Sequence, residues 1–126
     1  MNPLSNFFST LFASRTQAHV YHLGAMGIGS FAAHLALQAY YEGIVPLIDL
    51  VAENYQGKHG LIEFEEVEGL DNNAAIDNIV SYFSKLIEAL DKLRKDEKLQ
   101  SSSIQNQIDT IDELLSSTKY KLENLG

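Results

Sequence analysis

The sequence predicts an all-α protein, a four-helix bundle in which one long crossover joins the second helix to the third. Three observations carry this expectation. Apolar residues recur at three-to-four spacing in four separate stretches, which is the helical period and not the alternation of a half-buried strand. The breaks after the first and third stretches are short, whereas the break after the second runs from Gln56 to Leu70, longer than the ~2–8 residues usual between bundle helices. And 126 residues with a hydrophobic share of 45% make one core and a single domain spanning 1–126, with helices over about 4–23, 30–56, 72–97 and 102–124.

The first stretch places Leu4, Phe7, Phe8, Leu11, Phe12, Ala18, His19 and His22 on one stripe, with Pro3 near its start, where a missing N–H costs little. Gly24, Gly27 and Gly29 end it and allow a tight reversal. Ser30 is then the expected N-cap of the second helix. That helix is apolar on more than one side (Phe31, Leu35, Tyr41, Ile44, Val45, Ile48, Val51 and Tyr55), as expected for packing against both its own bundle and a partner. Pro46 lies inside it and should kink it just before Asp49. The connector is acidic, carrying Glu63, Glu65, Glu66 and Glu68 between Gly57, Gly60 and Gly69. Asp71 or Asn72 is the expected cap of the third helix, built on Ile76, Ile79, Val80, Phe83, Leu86, Ile87, Leu90 and Leu93. After the polar turn 98–103, the fourth uses Ile104, Ile108, Ile111, Leu114, Leu115, Leu122 and Leu125.

Composition excludes several classes of function. The net charge of -8, from 17 acidic and 9 basic residues, disfavours direct binding to a nucleic-acid duplex, which needs a basic surface. The absence of cysteine excludes disulfides, thiolate metal sites and cysteine nucleophiles. The start, MNPLSNFFSTLFASR, lacks the basic region of a signal peptide, and no run of residues reads as a span of ~20 apolar residues. The expected setting is therefore cytoplasmic, with no membrane partner. Gly24-x-x-Gly27-x-Gly29 follows no strand and precedes no Lys-Ser/Thr, so phosphate binding is not expected. No Gly-x-Ser-x-Gly or triad arrangement is present.

The residues that carry chemistry lie between His22 and Glu53: His22, His34, Gln38, Asp49 and Glu53. His34 with Gln38, and Asp49 with Glu53, are each four apart and share a helix face. His34 and Asp49, however, lie fifteen residues apart, or ~22 Å along a helix. One ion cannot be held by both ends of one copy. For the five to form one kind of site, a second copy must lie antiparallel and bring its Asp49 and Glu53 to this copy's His22 and His34. His19 is a candidate second ligand or core residue, and His59 is expected to be solvated. Tyr40, Tyr41 and Tyr55 are expected to pack.

The segment from Tyr21 to Gly57 resembles the first two helices of the Dps-type mini-ferritins. That family has one histidine at the end of the first helix, a second twelve residues on, an acid four further, and an Asp-x-x-x-Glu pair starting fifteen residues after the second histidine. Here His22 and His34 stand twelve apart, and Asp49 and Glu53 follow His34 by fifteen and nineteen. The resemblance implies a ferritin-like bundle, with iron, Fe²⁺ and Fe³⁺, or another divalent metal held between two antiparallel subunits. It also implies a ferroxidase reaction with peroxide or oxygen at His22, His34, Asp49 and Glu53, and a homo-oligomer, at least a dimer and in the family a dodecamer. Three departures stand out. Gln38 replaces the family's acid, a neutral and weaker ligand for a hard cation. Leu23 and Gly24 replace a tryptophan and an asparagine. The chain is also shorter than is usual, without a basic tail, as in miniature members encoded by phages, for which the setting is the host cytoplasm. The rival expectation is a non-catalytic ferritin-like oligomer, an interaction or phage accessory protein. A di-metal site within one chain is disfavoured, because no Glu-x-x-His motif occurs on two helices.

Overall fold

The computed structural model describes residues 2–27, 30–67 and 69–125. Among the described residues the chain is a bundle of four α-helices, with no strand: α1 (Pro3–Gly24), α2 (Ser30–His59), α3 (Ile76–Leu93) and α4 (Ser102–Asn124). A single 3-10 turn, Glu97–Leu99, lies between the last two. The starts of α1 and α4 are set by local chemistry. Asn2 accepts the Leu4 N–H at 2.9 Å, with Pro3 in the first turn. Ser101 accepts the Ile104 N–H at 3.3 Å, as a side-chain cap should.

Helix pairing follows from side chains that meet. Phe8 packs on Tyr55, Ser14 bonds Tyr40 at 2.7 Å and His22 lies on His34, so α1 and α2 run antiparallel. Asn54 donates to Ser103 and Gln107, and Leu114 faces Gly43, which sets α4 antiparallel to α2. Arg94 bonds Gln105 and Asp109 at the α3–α4 turn. The shared core centres on Leu11, Leu37, Ile44, Ile48, Phe83, Ile104 and Ile111, all essentially closed to solvent. Burying such side chains contributes roughly 1.5–3 kcal/mol each. Because Ser14 Oγ donates to the Leu11 carbonyl, the buried Tyr40 hydroxyl donates to Ser14. Burial pushes the Tyr40 hydroxyl well above its ordinary pKa, so it stays protonated and keeps that bond.

The connector is held to α1 by side chains of that helix. Ser9 Oγ accepts the Glu65 N–H at 2.9 Å, and Phe12 meets Phe64 edge-on at 5.6 Å. Gln17 grips the backbone of Asp71 at both ends, donating to its carbonyl and accepting its N–H, each at 2.8 Å. Tyr21 then donates to the Asp71 carboxylate at 2.9 Å. Buried polar groups need such partners, and Gln17, 5% exposed, finds both in one residue.

Three element boundaries differ from the sequence reading. α3 begins at Ile76 and not 72, behind Ala75, which provides no side-chain cap. Asp71 does not cap it. Asp71 and Asn73 instead accept the N–H two residues on, at 3.1 Å each, the local turn that competes with helix. α3 also stops at Leu93, short of 97, and α2 continues to His59. Ser30, the expected cap of α2, is already helical, and the residue before it lies outside the described residues. By length and composition alone α2 is apolar enough to cross a membrane, contrary to the expectation that no stretch would be. Its Tyr40, Ile44 and Ile48 are fully buried within the bundle.

Candidate metal centre

The end of α1 and the beginning of α2 bring His22 and His34 together. Their rings stack, with centroids 3.5 Å apart and planes 25° from parallel. Each ring is tied to the other residue's backbone. His22 Nδ1 lies 2.8 Å from the His34 carbonyl, and His34 Nδ1 lies 3.3 Å from the His22 carbonyl. The His22 carbonyl, one of the last of α1, also accepts the Ala25 N–H at 3.5 Å, and its second lone pair serves the imidazole. A ring that donates from Nδ1 carries its lone pair on Nε2. Backbone tethering of the second nitrogen is the usual way a metal-binding histidine is oriented. The tethers engage both Nδ1 atoms and leave Nε2 as the ring nitrogen available to a ligand.

His19 and Tyr41 extend the cluster. The His19 ring stacks on Tyr41 at 4.2 Å and 15° and stands edge-on to His22 at 5.8 Å. Tyr41 meets His22 edge-on at 5.3 Å. His59 is exposed as expected, although its Nε2 bonds the Lys98 carbonyl at 3.0 Å.

The remaining candidates lie elsewhere on α2. Asp49 and Glu53 are exposed, on the side of the helix that also shows Phe31, Leu35, Ala39, Glu42 and Pro46. Neither is in an ion pair; the ion pairs among the described residues are Arg94 with Asp109 and Lys119 with Glu123. Gln38 is half-buried and donates to Glu42 at 3.0 Å. One copy thus unites His22 with His34, and leaves Asp49 and Glu53 further along. Among the described residues no group of three or more histidine and carboxylate side chains converges in a single copy.

Gln17 was not singled out in the sequence reading, and Asp71 only as a helix cap, yet together they form a heavily bonded polar cluster. The Asn73 N–H, Asn78 and Tyr21 hold the Asp71 carboxyl below the usual carboxylate range. Burial, with the neighbouring Asp71, raises the Tyr21 hydroxyl. The available signal was a glutamine on the apolar stripe of α1. A groove of about 680 Å³ runs beside this cluster between α1, the connector and α3.

An all-helical bundle with a paired-imidazole end is thus the class that fold and site define. The chain belongs to a family of unknown function, DUF5856, whose model matches residues 26–122. That span contains His34, Gln38, Asp49 and Glu53, while His22 precedes it. Neither the curated proteins nor the solved structures give a significant match.

Proposed function

We propose that the chain is a Dps-type, ferritin-like iron-binding protein that oxidises Fe²⁺ at sites shared between antiparallel copies. The observation that carries this reading is the division of ligands along α2. Two imidazoles with backbone-tethered Nδ1 atoms stand at one end of the helix, and two exposed, unpaired carboxylates stand towards the other. The bonding of the connector along α1 supports the one-crossover, ferritin-like topology, since it carries the chain back towards the α1–α2 turn before α3 begins.

In such a site His22 and His34 bind Fe²⁺ through Nε2, and the partner copy's carboxylates at positions 49 and 53 neutralise its charge. Imidazole with carboxylate suits Fe²⁺ and favours the more highly charged Fe³⁺ once an electron has passed to peroxide or oxygen. Anaerobic titration of metal-stripped protein with Fe²⁺, followed by absorbance on adding oxidant, tests this. Saturable binding near one or two irons per subunit with rapid oxidation is expected, and His34→Ala should abolish both while leaving the oligomer intact.

A second reading is a non-catalytic helical oligomer. It is favoured by Gln38, an amide engaged with Glu42, and by the face-to-face closure of the two imidazoles. No saturable iron in the titration would select it.

A further inference from the structure

We infer that the stacked histidine pair is a self-closed latch: His22 and His34 occupy each other, and a shared metal ion is admitted only after the rings part, with His22 fixed and His34 the ring that swings. This regulation of the site rests on the ligand roles proposed above for the two residues. A first-row divalent ion lies about 2.1 Å from an imidazole nitrogen, in the plane of the ring, and so about 3.2 Å from the ring centre. Two imidazoles on one ion, at the ~90–110° of octahedral or tetrahedral coordination, therefore hold their centres about 4.5–5.3 Å apart. The centres of His22 and His34 are 3.5 Å apart, so the two bonds to a shared ion would meet at only about 65°, sharper than either geometry. The contact suits two rings packed on one another, each with its Nδ1 engaged by the other residue's carbonyl, and not two ligands of one ion.

The two rings are held unequally, which selects the one that moves. His22 is 7% exposed, and its Nδ1 lies 2.8 Å from the His34 carbonyl. Besides His34 it meets His19 and Tyr41 edge-on, and those two are stacked on each other. His34 is half-buried. Its tether is 3.3 Å long and ends on a carbonyl shared with the Ala25 N–H. Among the described residues its ring contact is with His22, and Gln38, one turn further on, is bonded to Glu42 instead. Swinging His34 out breaks that long bond and the stack, while the tether of His22, made to the backbone of His34, survives. Swinging His22 out breaks a shorter bond and its contacts with His19 and Tyr41 as well. A ligand admitted only to the parted form binds more weakly in proportion to the fraction of chains that are parted, so the latch sets how much free metal the site needs before it fills.

The test is NMR of the full chain with labelled histidine and tyrosine rings, first metal-stripped and then saturated with Zn²⁺, which binds imidazole and has no redox chemistry. In the stripped chain, ring-to-ring Overhauser contacts are expected between His22 and His34 and between His22 and Tyr41. With Zn²⁺ the first should fall several-fold and the second should persist. Three results overturn the latch: no His22–His34 contact in the stripped chain, an undiminished one in the loaded chain, or loss of the Tyr41 contact in its place. A double-mutant cycle in urea on the stripped chain is the second measurement. His22→Ala and His34→Ala together should lower the midpoint little further than the larger single change, because either one removes the whole stack; additive losses overturn the closure. A chain that shows the ring contact and the coupling yet takes up no Zn²⁺ upholds the closure and removes the metal reading, so the two fail separately.

Discussion

At the scale of single residues, the instructive position is Gln38. It follows His34 by one turn, so a ligand here would face the same side; an amide oxygen, however, adds no charge to balance a cation. Gln38→Asp is expected to tighten Fe²⁺ binding about tenfold, equivalent to ~1.4 kcal/mol, as read by anaerobic titration. The same change sets two carboxylates at positions 38 and 42, replacing the bond between Gln38 and Glu42 with repulsion. The metal-free variant should therefore melt slightly lower, by the ~0.2–0.5 kcal/mol typical of like charges one turn apart. A variant that loses stability and gains no affinity would count against a metal role for this face. The histidines themselves were readable in the sequence, because spacing determines which residues one helix can bring together. Their mutual tethering was not readable. It depends on the closeness of two helix ends, which a residue pattern does not encode.

At the scale of elements, periodicity placed all four helices but misplaced the start of α3. Asp71 and Asn72 are good caps in isolation. Gln17 and Tyr21, fifty or more residues earlier in the chain, hold Asp71 in a turn, and a distant partner overrides a local preference. α2 shows the converse. Its second apolar stripe was legible, and Phe31, Leu35 and Leu50 are in fact left exposed, so its outer side is available to a partner. Gly43 sits in the middle of this helix, where glycine is less favourable than alanine by roughly 0.5–1 kcal/mol. An added Cβ would meet Leu114 at 3.6 Å, an ordinary contact. Gly43→Ala should therefore raise the unfolding free energy by about 1 kcal/mol in urea denaturation. A loss of stability would mean that α2 and α4 cannot keep their separation.

At the scale of the whole molecule, stability depends on how the connector is anchored, and that anchoring is acid-sensitive. Asp71 is bonded as a carboxylate by the Asn73 N–H, Asn78 and Tyr21, which lowers its pKa in the folded chain. A lowered folded pKa means that the contribution is complete above the unfolded value, near 3.9, and is lost as pH falls through the folded value. The melting temperature of the native chain should accordingly drop on acidification below about pH 4, and the drop should be shallower in Asp71→Asn, whose side chain has no such proton to take up. Equal acid slopes in the two proteins would place the acid-labile groups elsewhere in the chain.

The Gln17–Asp71 grip has one more consequence. α1 and α3 face each other across a groove lined in part by small and polar side chains such as Thr10, Ala13, Ser81 and Ala89, and they touch where Tyr21 meets Tyr82 edge-on at 5.6 Å. A stretch whose described residues form no helix or strand also joins them, clasped by α1 at Ser9, Gln17 and Tyr21 and continuous with the first turn of α3. The connector therefore works as a strap: tension on it is borne by α1, and Tyr21, which holds Asp71 and packs on Tyr82, ties a displacement of α1 to the start of α3 by both routes.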